Sequence, residues 1–359
     1  MNVLLYRPSL SVTSGAGQLI AMQARGFAAQ GERVEVGAQR GTLRFWLRTG
    51  IRARRLSLSS ANALARSEER TKIIVDHGAC LMHADITFIH NLYAEAQRFV
   101  ARAEWAHEIE RERTLFGTLP THTPIIANSE LVKRALIRHF TLEPERIAVH
   151  YPGFRSTVFA PTATPALRAR ARAGVGLDSK ARVVGLVTSG DFEKRGLDVF
   201  LRAATRIVER DADTRFLVVG STRLPDWAQR DPLLTTGRVL YRPKDRHPER
   251  WLAALDVLLY PAPFEEFGMV VAEAQALGVP VVTSRRVGAA ECLPPDYAPW
   301  VLDVPAAEPF ADKVTELLAE PETRQRLATA AAETVQRFDD SSYVRATVSA
   351  ILAQKRRLK

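Results

Sequence analysis

The stretch Pro261 to Val282, PAPFEEFGMVVAEAQALGVPVV, carries two carboxylates whose spacing suits ligand binding. Glu265 stands just ahead of a glycine, Gly268, and Glu273 lies in an apolar, alanine-rich run that predicts a helix starting near Phe267 or Gly268. The first turn of such a helix offers free backbone N–H groups and the positive end of its dipole, both of which favour a phosphate. Gly268 lets an anion approach the backbone closely. The eight positions from Glu265 to Glu273 span roughly 12 Å if helical, about the reach from a sugar, past a diphosphate, to a ribose. Carboxylates accept hydrogen bonds from sugar hydroxyls. The spacing therefore predicts Glu265 on a donor sugar, the tip formed by Phe267, Gly268 and Met269 on a diphosphate, and Glu273 on a ribose. The plainer reading of the same acids is a pair of solvated helix-end carboxylates, Glu265 aided by the dipole.

Other stretches point the same way. SGDFEKRGLDVFLRA places Lys194 and Arg195 between a strand and a helix. Two cations at the carboxyl end of a strand suit a diphosphate leaving group, whose negative charge grows as the bond to it breaks; a solvated basic loop is the alternative. ADITFIHNLY puts His90 and Asn91 at another strand end, with His77 in VDHG competing as the site histidine. Gly15, in SVTSGAGQLIA, stands where a strand-to-helix turn would bring backbone close to a ligand, or where the turn merely needs a glycine. The chain shows no Asp-x-Asp pair in a strand-end loop and no His/Cys ligand spacing, so the expected chemistry uses no metal and no cofactor.

These residues need a scaffold, and the chain has the pattern of one. Short apolar strands alternate with helical stretches in two series, which implies parallel sheets. A length of 359 residues suits two domains. The expected division is an N-terminal Rossmann-like domain over 1–162, a C-terminal one over 163–340, and a final helix over 341–359 packing back on the first domain. The stretch from Phe154 to Ala181, with its prolines and small residues, reads as the linker region. In sheets of this kind ligands bind beyond the carboxyl ends of the strands, so the fold expected is α/β with two parallel sheets facing a central cleft.

The motifs together resemble the family 4 glycosyltransferases, retaining enzymes of the GT-B fold that include lipopolysaccharide-core and surface-polysaccharide glycosyltransferases. EEFGMVVAEAQALGVPVV resembles the family's Glu–seven–Glu signature, matched by Glu265 and Glu273; SGDFEKRGLDVF resembles its phosphate-binding segment. SVTSGAGQLIAMQARGFAAQGERVEV is similar to its first glycine-rich loop and helix, and Pro124 to Pro161 to the segment entering the inter-domain linker. The resemblance implies transfer of a sugar, with retention, from a nucleotide diphosphate sugar to a hydroxyl of a glycan or lipid-linked acceptor. It also implies a donor-facing histidine in the His90 region and, in VGAAECL, a glutamate, Glu291, beside the nucleotide pocket. Two departures stand out. The family's lysine before glycine is Arg195 here, with Lys194 beside it, and its Gly-Gly pair is Ser14-Gly15. Which cation meets the diphosphate is therefore open.

Composition adds an expectation about partners. The net charge of +10 favours acidic ones. In RFWLRTGIRARRLSL, Arg44, Arg48, Arg52 and Arg55 recur at steps of four, four and three, which a helix would align on one face against an anionic membrane, with Phe45, Trp46 and Leu47 nearby. A solvated basic face is the alternative, and Gly50 weakens the helix. Two cysteines and a start without a charged leader predict a cytoplasmic protein, peripheral on the inner face of the membrane. Nucleic acid is not expected, because aromatic platforms and a helix-turn-helix pattern are missing. A sugar-nucleotide epimerase of the same fold is the rival enzyme. A dinucleotide-binding dehydrogenase ranks low, because SGAGQLIA matches its glycine fingerprint only in part.

Overall fold

The computed structural model describes residues 2–67, 71–160 and 165–357. The chain divides into two compact units, Met1–Gly153 with Asp340–Lys359, and Phe154–Asp339.

The first unit holds a seven-stranded sheet. Its strands are β1 (Asn2–Tyr6), β2 (Val34–Ala38), β3 (Ala53–Arg55), β4 (Lys72–Asp76), β5 (Ile86–Ile89), β6 (Ile125–Ala127) and β7 (Ile147–Val149). They run parallel in the order β3-β2-β1-β4-β5-β6-β7. β1, β4 and β5 are buried along nearly their whole length, as strands covered on both faces must be. The second unit holds β8 (Val183–Val187), β9 (Arg215–Gly220), β10 (Val239–Pro243), β11 (Val257–Leu259), β12 (Val281–Ser284) and β13 (Val301–Leu302). Their order, β10-β9-β8-β11-β12-β13, is again parallel throughout. Each sheet changes direction beside its first strand, between β1 and β4 in one and between β8 and β11 in the other. The crevice at such a switch point is where open α/β sheets take their ligands.

The last helix, Asp340–Arg357, belongs to the first unit. It lies on helix Gly15–Ala29, where the buried Gln23 amide donates to Tyr343 Oη at 2.8 Å and Lys355 pairs with Glu32 at 2.6 Å. The division falls at 153/154 and not at 162/163, a boundary that lies outside the described residues. Its position follows from two buried phenylalanines. Phe154 and Phe159 are sealed into the second unit, and the Phe154 N–H donates to Phe338 O at 3.3 Å. The described parts of the expected linker are likewise packed structure. Helix Pro165–Ala173 sends Arg168 and Arg172 onto Asp256, whose carboxylate also accepts the Val183 N–H at 2.8 Å, so the helix is tied to the start of β8.

The expected arginine helix is corrected. Helix Thr42–Thr49 ends at Gly50, which is left-handed and donates to Trp46 O. Arg52 follows the helix and Arg55 lies on β3, so only Arg44 and Arg48 share a helix. Beside those two arginines the helix exposes an apolar set: Leu43, Trp46 and Leu47 face solvent while Phe45 is buried. No helix among the described residues is long and apolar enough to cross a membrane.

Candidate functional site

Two loops at the switch point of the second sheet carry the predicted residues. One follows β8 and contains Lys194 and Arg195; the other follows β11 and contains Glu265 to Gly268. Gly196 locks them together. It caps helix Leu197–Arg210 at φ 71°, and a Cβ there would stand 2.2 Å from Pro261 O, so only a glycine allows this contact. Gly268 caps helix Met269–Ala276 at φ 89°, where a Cβ would press on the Glu265 side chain at 3.1 Å. The glycine expected to admit an anion is thus required first by backbone conformation. The Met269 helix has no side-chain cap and no acid in its first turn, although the Val271 N–H already donates to Gly268 O at 2.9 Å, so the positive end of its dipole is not offset there by a carboxylate of its own first turn.

Behind these loops sits a strap. The Glu265 N–H donates to Arg286 O at 2.9 Å, Gly288 N–H donates to Glu265 O at 3.0 Å, and Ala289 N–H donates to Phe267 O at 2.7 Å. The segment after β12 therefore fixes the backbone that presents Glu265. Glu291, in the 3₁₀ turn that follows, is exposed.

The side chains form two buried ion pairs. Arg195 pairs with Glu265, and the Tyr260 hydroxyl stands 3.5 Å from the same carboxylate. Lys194 Nζ donates to both oxygens of Glu266 at 2.8 Å. Burial works to lower the Arg195 pKa, but Glu265, Tyr260, Glu266 and Asp191 outweigh it and hold the guanidinium firmly charged. Burial pushes the Glu265 carboxyl upward, against the pull of Arg195 and Lys194. Glu266 is the residue that sequence reasoning missed. It reads as one of two adjacent acids, and only the fold brings it to Lys194.

Glu273 is buried one face further along the same helix. Burial pushes its carboxyl up to about 7; Arg155 opposes the shift and Glu249 adds to it. The folded state therefore holds a proton there that the unfolded chain releases near pH 4.5, so the group costs stability as pH rises from about 4.5 through about 7. Glu273→Gln is expected to leave stability unchanged below pH 4.5 and to raise it above pH 7, by up to about 3 kcal/mol. The same variant should weaken nucleoside binding. Denaturant midpoints across pH 4–8, with calorimetric nucleoside titrations, check both; a parallel stability curve for the two proteins would mean Glu273 is not held protonated.

The remaining predicted residues lie in the first unit. Gly15 begins helix Gly15–Ala29, capped by the Ser14 hydroxyl, which accepts the Gly17 N–H at 3.1 Å. His77 and His90 are both present at the carboxyl edge of the sheet, just after β4 and β5, and they touch: His77 Nδ1 and His90 Nε2 are 3.0 Å apart. The two candidates for one role are thus a pair. His77 is sealed off, whereas His90 is half-buried and lines a hollow with Asn128, His150 and Tyr343.

Residues 181–320 match the family described as Glycosyl transferases group 1. The match lies within the second unit. Lys194, Arg195, Glu265 and Glu273 all lie inside that match. The chain is 30% identical over 225 residues to a D-inositol 3-phosphate glycosyltransferase of Corynebacterium aurimucosum, covering 60% of this chain and 53% of that protein. It is 32% identical over 232 residues to the protein of the same name from Rhodococcus jostii, covering 61% and 49%. The chain thus spans about half the length of the curated relatives it matches. Among solved structures it is similar to WaaG, a glycosyltransferase involved in lipopolysaccharide biosynthesis (TM-score 0.80, 19% identity, 97% of this chain and 99% of that one). It is also similar to HepE from Anabaena in complex with UDP (TM-score 0.78, 17% identity, 98% and 100%). The architecture is that of the GT-B glycosyltransferases.

Proposed function

We propose that this chain is a retaining hexosyltransferase that moves a sugar from a nucleotide diphosphate sugar to a hydroxyl of a glycan or lipid-linked acceptor. The observation that carries the reading is the meeting, at the switch point of the second sheet, of the Arg195–Glu265 pair with an uncapped helix N-terminus and a buried carboxylate, Glu273. In this reading the diphosphate takes the helix tip formed by Phe267, Gly268 and Met269, together with the Arg195 guanidinium, while Lys194 stands behind it, held on Glu266. Negative charge that grows on the leaving diphosphate is met by groups already in place, the arrangement that lowers a barrier most. A diphosphate that engages Arg195 also releases Glu265 to accept from the donor sugar's hydroxyls. Glu273 takes the ribose. The cations do the work that a metal would otherwise do, so transfer should survive chelation. Retention rests on the family resemblance, with the donor phosphate assisting attack on the same face.

The neighbouring HepE structures contain UDP and UDP-glucose, which supports a uridine donor as the first to try. A phosphorylated acceptor suits a chain of net charge +10, whether in lipopolysaccharide or surface-polysaccharide assembly, as the WaaG likeness favours, or on an inositol phosphate, as the sequence relatives' names suggest. The deciding experiment is a thermal-shift screen of nucleotide sugars, because a ligand at 100 times its Kd adds about 2.7 kcal/mol to stability. A donor that shifts the melting point, followed by acceptor-dependent release of nucleoside diphosphate in excess EDTA, is the expected result. Formation of an epimer without acceptor would favour the epimerase; no shift with any nucleotide sugar would overturn the reading.

The proposed setting is the cytoplasmic face of a membrane. Support comes from helix Thr42–Thr49, whose Leu43, Trp46 and Leu47 are 63%, 48% and 72% exposed beside Arg44 and Arg48. Apolar insertion, with arginines over anionic headgroups, is the behaviour of an interfacial helix. Binding to anionic vesicles should fall several-fold in Leu43→Ser/Leu47→Ser, and less in Arg44→Gln/Arg48→Gln, with only the arginine part sensitive to salt. Equal pelleting of all three proteins would remove the membrane from the proposal.

A further inference from the structure

At the switch point of the first sheet, His77 is held on every side. Its N–H donates to Tyr6 O at 2.8 Å, its carbonyl accepts from Arg7 Nη1 at 2.6 Å, and its ring stacks on Phe88 at 4.7 Å and on His90 at 5.3 Å. The ring is fully buried, and among the described residues its only polar neighbour within hydrogen-bond reach is His90 Nε2. Its own Nε2 is buried and meets no partner among them. Burial, reinforced by the Arg7 charge, pushes the His77 pKa down to about 3, so the ring is neutral under ordinary conditions. His90 is driven well down as well, by burial first and then by His77 and Arg7.

Two neutral imidazoles can share one hydrogen bond in two ways. If His90 Nε2–H donates to His77, the His77 proton must sit on its own Nε2, which becomes an N–H buried with no acceptor. If His77 Nδ1–H donates to His90 Nε2, the buried Nε2 is a bare lone pair. Orphaned buried N–H groups are the rarer and costlier defect. The second arrangement therefore wins, and it fixes the partner too: with Nε2 accepting, His90 must carry its proton on Nδ1.

We infer that His77 is a positioning residue that locks His90 in its Nδ1–H tautomer, so that the half-buried ring presents a fixed N–H donor and has no free lone pair with which to act as a base. Its ligand is then an oxygen acceptor, a hydroxyl or phosphate oxygen. The link to a donor sugar rests on the function proposed above, whereas the tautomer does not.

Long-range proton–nitrogen NMR on histidine-labelled protein tests the lock without any substrate. The chain has eight histidines, so His90→Gln identifies the relevant signals. The wild type should show His90 as the Nδ1–H form. His77→Asn, whose amide N–H can stand where Nδ1–H stood, should keep that form, and His77→Phe should shift His90 toward the Nε2–H form that free imidazole prefers. An Nε2–H form of His90 in the wild type would overturn the inference, even if His77→Phe failed to fold. The same tautomer in wild type and a folded His77→Phe would overturn it as well. In transfer assays His77→Phe should lose about tenfold in turnover while His77→Asn retains it. An unchanged tautomer lock with no transfer from any donor would leave the inference standing and reject the proposed function instead.

Discussion

Glu265→Gln is expected to lose at least tenfold, and about a hundredfold, in turnover, the range seen when one positioned hydrogen-bonding group is removed from a reacting centre. The substitution keeps the shape and one acceptor oxygen but removes the charge. It leaves Arg195 without its closest carboxylate, although Glu266 and Asp191 still surround the guanidinium, so a loss of stability is expected as well. The two effects separate cleanly. Stability is read from the denaturant midpoint; turnover is read per folded molecule, with donor held at saturation. Glu265 is buried and its backbone is bonded on both sides to the segment after β12, so the loop stays in place when the side chain changes. A folded Glu265→Gln protein that turns over like the wild type would sink the assignment of this residue to the donor sugar.

That assignment is legible in the sequence because loop chemistry and strand order are linked. Glu265 and Arg195 lie 70 positions apart, yet the loops that carry them follow β8 and β11, neighbours in a doubly wound sheet. Parallel strands inferred from the alternating pattern imply that proximity. The features that the sequence hides depend on contacts without a periodic signature. β3 is three residues, Ala53–Arg55, two of them arginines with exposed side chains, and nothing in its pattern separates it from the helix expected there. The expected helix fails because a four-residue charge rhythm does not survive Gly50, where the backbone turns left-handed. Prolines and small residues make Phe154 to Ala181 read as a linker, but the burial of Phe154 and Phe159 ties the segment to the second unit. His77 and His90 read as competitors for one role, because hydrogen bonding between strand ends is invisible to spacing. Glu266 is silent for a related reason: its partner is set by the same loop junction that Gly196 creates, not by its place beside Glu265.

That junction yields the last prediction, which separates the two cations. Lys194 and Glu266 are the more enclosed pair, their side chains 10% and 3% exposed, against 18% and 9% for Arg195 and Glu265. Removing one member of a buried pair strands the other charge and costs about 3–5 kcal/mol, whereas replacing both by apolar groups of similar size is close to neutral. Lys194→Met alone should therefore destabilise the protein strongly, and Lys194→Met with Glu266→Leu should recover most of the loss. Arg195 is the cation closer to solvent and the one beside the proposed sugar-binding acid. Arg195→Gln should lower nucleoside diphosphate affinity by at least tenfold while changing nucleoside affinity less than twofold, since only the diphosphate needs the charge. The Lys194→Met/Glu266→Leu protein should retain diphosphate affinity within about threefold, because a cation already satisfied by both oxygens of a buried carboxylate has little left to offer a ligand. Calorimetric titration of nucleoside and nucleoside diphosphate into each folded variant decides between them. Equal losses for both ligands in Arg195→Gln would remove that arginine from the diphosphate. A large diphosphate-specific loss in the double variant would make Lys194 the principal contact, and the substitution of arginine for lysine before Gly196 would then be a change of scaffold and not of chemistry.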